Sequence, residues 1–118
     1  MATISKVIEA VDGISPNDYD PEIKFRWMAE LDAMVARDVT GQEAPAYEYP
    51  RDMDRQLLIP APHDRVYDLY MEAMIDFRNR DYRGYNNAMM AFDHLFTEYK
   101  KAYLREHRPK ASGGFKNL

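Results

Sequence analysis

Between Pro62 and Arg108 two long stretches carry apolar residues at three- and four-residue steps. Val66, Leu69, Tyr70, Ala73, Met74 and Phe77 mark the first, and Tyr85, Met89, Phe92, Leu95 or Phe96, Tyr99 and Tyr103 mark the second. That spacing puts each set on one face of a 3.6-residue helix. The pattern breaks at Arg80-Asp81-Tyr82, with Gly84 at the start of the second arm. The two stretches are therefore predicted to form a long helical hairpin whose stripes pack on each other or on a third element. Pro109 stops the second arm.

The N-terminal third predicts two shorter helices. Thr3 is a good cap for a helix carrying Ile4, Val7, Ile8 and Val11, closed by Asp12-Gly13. Ser15-Pro16-Asn17-Asp18 is turn chemistry. Asp20-Pro21-Glu22 then starts a second helix, with a cap, a first-turn proline and an acid at the positive end of the dipole. This helix is expected to run to about Asp38. Ile23, Trp27, Leu31, Met34 and Val35 form its buried stripe, and Lys24, Arg26, Glu30, Asp32 and Arg37 are expected to turn to water. Trp27 reads as a core anchor.

No helical period survives from Gly41 to Ala61, where Pro45, Pro50 and Pro60 interrupt the chain. A connection of that length is long for a small domain. Tyr47-Glu48-Tyr49 alternates as a short strand would, and Leu57-Leu58-Ile59 is apolar enough to dock. Two readings stay open: a loop pinned at its end, or an arm through which Tyr47 and Tyr49 reach a neighbouring subunit. The expected fold is all-α, four helices with a long hairpin, an extended loop between the second and third, and a flexible C-terminal tail. Residues 1–108 form the domain, with 41–61 as the loop, and residues 109–118 form the tail.

The chain has 118 residues, enough for one core without staples, and no cysteine, which removes disulfides, thiol nucleophiles and cysteine zinc sites. No apolar run approaches a membrane span, and the N-terminus has neither a signal-peptide pattern nor a myristoylation glycine. Net charge is −4 but uneven. Lys100, Lys101, Arg105, Arg108, Lys110 and Lys116 stand against Glu106 alone, so residues 100–118 carry +5 and the remainder −9. An acidic body with a basic end points to an oriented partner or a head-to-tail self contact rather than to a nucleic-acid binder.

Candidate chemistry is sparse. Asp64, Asp68, Glu72 and Asp76 recur at i+4 steps along the third helix. They read as a solvated face or as an acidic ridge that meets a basic neighbour or lines a channel, in preference to a metal site. A carboxylate-bridged bundle site would add a Glu-x-x-His pair, which this sequence lacks. His63, His94 and His107 are scattered, and no phosphate loop, serine elbow or HExxH motif occurs. No enzyme activity and no cofactor are expected. Arg108, Lys110, Phe115, Lys116 and Leu118 make the tail a candidate docking peptide that orders on a partner.

Several segments resemble a known group. Pro16-Asn17 with Lys24, Trp27 and Leu31-Asp32 forms the first of them. Leu58-Ile59-Pro60-Ala61-Pro62-His63-Asp64 with Tyr67, Tyr70, Ala73 and Ile75-Asp76 forms the second. Tyr85-Asn86-Asn87 with Phe92, and the end Phe115-Lys116-Asn117-Leu118, complete the set. Together they resemble small head–tail connector, or adaptor, proteins of tailed phages and prophages. The resemblance spans nearly the whole chain and weakens from Gly41 to Asp54. It implies a structural virion protein, assembled in the host bacterial cytoplasm, that forms a homo-oligomeric ring of about twelve copies under the portal protein. Such a ring extends the DNA channel without specific DNA binding and carries the next connector, stopper or tail protein. The alternatives are another small phage assembly or scaffold-like factor, and a small metal-dependent enzyme using the acidic stripe.

Overall fold

The computed structural model describes residues 2–107. It holds four α-helices: α1 (Ile4–Ile14), α2 (Pro21–Val35), α3 (Arg65–Arg78) and α4 (Tyr82–Glu106). A π-helical turn, Ala36–Thr40, prolongs α2 and ends at Gly41, whose φ of 68° is the left-handed geometry that suits glycine. The all-α expectation holds. Among the described residues there is no strand, and Thr3 and Gln56 share a single antiparallel bridge. The tail expected at 109–118 lies outside the described residues. No helix is long and apolar enough to cross a membrane among the described residues.

Local signals set the ends of the helices. The Thr3 hydroxyl accepts from the Lys6 amide at 3.2 Å and starts α1. Pro21 occupies the first turn of α2 behind Asp20, whose carbonyl accepts from Ile23 and Lys24. α1 continues through Gly13 and closes at Ser15, two residues beyond the predicted stop. The hairpin turn is three residues long. Arg80 adopts φ 62°, a costly conformation for a residue with a Cβ, and the Asp81 carboxylate caps α4 by accepting from the Gly84 amide at 2.9 Å. A Cβ on Gly84 would stand 2.5 Å from Asp81 Oδ2 and 2.7 Å from Asp76 Oδ2, so a side chain there would have to push both carboxylates aside and disturb the cap.

α3 is the central element and packs against α4, α1 and α2. It therefore buries more than one face: Val66, Tyr67, Leu69, Met71, Ala73 and Ile75 are all covered. α4 is an outer element and buries only Phe92, Phe96 and Tyr99. Phe77, expected on the buried stripe, is 50 % exposed where α3 ends, with its ring against Tyr82 and Tyr85 at the start of α4. Trp27 is buried in the core, as expected. Lys24 and Asp32, expected in water, are buried instead. α2 is covered by α1 and α3 and also by the long loop, so the water-facing side the sequence suggested is narrower.

Candidate functional site

The two buried charges of α2 organise the chain around it. Lys24 donates to both carboxylate oxygens of Asp12, at 2.8 and 3.0 Å. The Asn17 side chain donates to the same carboxylate at 3.0 Å. These bonds tie the end of α1 to the start of α2.

Asp32, one helical turn from Met28, accepts three hydrogen bonds. Tyr67 donates to Oδ1 at 2.5 Å; Tyr47 at 2.5 Å and the Leu58 amide at 3.1 Å donate to Oδ2. The Tyr67 hydroxyl in turn accepts from the Ile59 amide at 2.8 Å. Burial pushes the Asp32 carboxyl up, and the donors of Tyr47 and Tyr67 oppose that rise. Burial, with the facing Asp32 carboxylate, pushes both tyrosine hydroxyls far above the ordinary tyrosine range, so both stay protonated donors. One carboxylate thus joins α2, α3 and two separate points of the loop.

The loop is pinned along its length. The Ser5 amide donates to the Met53 carbonyl, and the Leu57 amide to the Ala2 carbonyl, both at 2.9 Å. Asp52 accepts from the Glu48 amide at 2.8 Å, and the Arg55 guanidinium lies 4.9 Å above the Tyr47 ring. Leu57 and Ile59 are buried. Tyr47 and Tyr49 both stand edge-on to Phe25 of α2, at 6.4 and 5.4 Å. Tyr47 is committed to its own chain, whereas Tyr49 and Glu48 beside it are exposed.

Where the pinned loop meets the last turns of α4 it leaves a cleft of about 380 Å³, lined by Thr40, Leu58, Pro62, His63, Tyr99 and Tyr103 among others. His63 lies 5.8 Å from Tyr99, and His107 stacks on Tyr103 at 3.8 Å. The volume is within the range of small-ligand pockets. Sequence reasoning missed both the cleft and the Asp32 junction.

The predicted acidic stripe is real but only partly wet. Asp64, Asp68, Glu72 and Asp76 are all half-buried, and Asp64 and Asp68 border a groove against Lys6 and Val7 of α1. Burial first, then the neighbouring carboxylates, raises the carboxyls of Asp68, Glu72 and Asp76. Among the described residues no three His, Cys, Asp or Glu side chains converge as metal ligands. His94 is exposed. Arg108, Lys110, Phe115, Lys116 and Leu118 lie outside the described residues.

No family model, curated protein or solved structure matches this chain.

Proposed function

We propose that this protein is a structural subunit, a phage head–tail connector that forms a ring under the portal, extends the DNA channel and carries the next connector or tail protein. The observation that carries this reading is the distribution of exposed apolar side chains on a molecule only 20 Å thick in its thinnest dimension. Phe77 and Tyr82 are at least half exposed at the hairpin turn, Leu104 is 62 % exposed near the other end of α4, and Met90 between them and Ile14 at the end of α1 are exposed as well. At 1.5 Å per residue Tyr82 and Leu104 stand about 33 Å apart along the helix axis. Apolar side chains exposed at both ends of α4 and between them suit contacts with neighbouring copies, and a head-to-tail contact of that kind closes into rings. The acidic body suits a channel that must let DNA pass without holding it. The sequence resemblance to connector proteins points the same way. Tyr49 and Glu48 are the loop positions that would touch the adjacent copy, and the basic tail would engage the portal.

Mass spectrometry of purified virions tests the assignment. A connector remains in the finished particle at a stoichiometry close to that of the portal. Its absence from particles would assign the chain to an assembly factor that leaves before completion.

A further inference from the structure

The cleft between the loop and α4 lies where the described chain stops: His107, the last described residue, is part of its wall, as are Glu106, Tyr103 and Ala102. Eleven residues follow His107, and they include Pro109, Gly113-Gly114 and Phe115. We propose that this cleft is the docking site for Phe115 of the same chain, which makes the C-terminal tail a latch on its own domain.

Four observations on the page converge on that occupant. The first is reach. Phe115 is eight residues beyond His107, at most about 29 Å of extended chain, and the cleft begins at His107 itself. The second is the capacity to reverse. Pro109 cannot continue α4, and two glycines immediately before Phe115 accept backbone angles that other residues resist. The third is chemical fit. Beside polar Thr40, Gln42 and Glu106, the wall presents the rings of Tyr99, Tyr103 and His63 with Leu58 and Pro62, and an inserted phenyl ring finds edge and face partners there. The fourth is charge. Residues 108–118 bring Arg108, Lys110 and Lys116 and no acid, while Glu106 stands at the rim.

A tether this short gives Phe115 an effective concentration at the cleft in the millimolar range, so a modest intrinsic affinity suffices. The latch stands whether or not the chain is a connector. If it is, the latch keeps the tail off other surfaces until a partner draws it out.

The test is nuclear magnetic resonance on the full-length protein. In a uniformly labelled sample the Phe115 ring protons should show nuclear Overhauser contacts to the Ala102 methyl and to Pro62. In a mixture of labelled and unlabelled chains, filtered for contacts between different chains, those peaks should vanish. Phe115→Ala should shift the amides of Thr40, Gln42, Ala102 and Glu106 and leave those of Asn79 and Gly84 at the far turn in place. Peaks that appear only between different chains would overturn the latch and make a second copy the occupant. Absence of the contacts together with unmoved cleft amides in Phe115→Ala would overturn the docking site altogether.

Discussion

At the residue scale the account turns on Asp32. Its carboxylate satisfies two tyrosine hydroxyls and one loop amide in a site that water does not reach. Asp32→Ala strands those donors, and each unsatisfied buried donor costs about 1–3 kcal/mol. Denaturant unfolding of Asp32→Ala should therefore show a loss of about 3 kcal/mol or more. Tyr67→Phe removes a donor to Asp32 and an acceptor from Ile59, and a loss of about 2 kcal/mol is expected. A change below about 0.5 kcal/mol in Asp32→Ala would mean that the loop is not held in this way. Asp12→Ala leaves the Lys24 ammonium buried and unpaired; because Asp12 is itself 39 % exposed, the loss should be about 2 kcal/mol, below that of a fully buried pair. These residues were legible in the sequence in principle. At 100° per residue Lys24 falls about 20° from Leu31, and Asp32 about 20° from Phe25, so both charges lie on apolar stripes. Reading polarity alone sent them to water. The partners of Asp32, Tyr47 and Tyr67, are 15 and 35 residues away from it, and no local pattern joins them.

At the element scale the helices were legible, and so were the extent of the loop and the docking of Leu57 and Ile59, but the loop's path was not. Caps, prolines and three-to-four spacing are local signals, and they placed all four helices within a few residues. The loop's path depends on long-range bonds to Ala2, Ser5, Asp32 and Tyr67, which no window of sequence contains. The same limit hid the cleft, since its walls come from the end of α2, the loop and α4. Two element-level predictions follow from strain and charge. Arg80→Gly frees the turn from a left-handed residue and should raise stability by about 0.5–1 kcal/mol in thermal unfolding. The stripe on α3 should give the protein an unusual acid response. Asp68, Glu72 and Asp76 have folded-state values raised above those of the unfolded chain, so the folded state binds protons more tightly. Stability from this stripe should therefore grow as pH falls from 7 through the raised values, and the gain should be complete near the ordinary carboxylate range at about 4. Asp38 and Asp52, held down by their arginine neighbours, act in the opposite sense at lower pH, but Asp38 and both arginines are exposed, so water screens the pairs. Asp68→Asn with Glu72→Gln should raise the melting temperature at pH 7 by a few degrees and flatten its rise toward pH 5. A melting temperature that falls steadily from pH 7 to pH 5 in the unmodified protein would contradict the assigned shifts.

The whole molecule combines three features: apolar side chains exposed along α4 and at the end of α1, an acidic body, and a basic C-terminal segment. None of them requires a stable oligomer of the isolated chain, because ring closure multiplies weak contacts. The most direct test of the connector proposal is negative-stain electron microscopy of this protein mixed with a tailed-phage portal ring. The account predicts an added collar at one end of the portal, lost or weakened when the exposed Phe77 and Leu104 are changed to charged residues. Bare portals at high protein concentration would contradict the connector assignment.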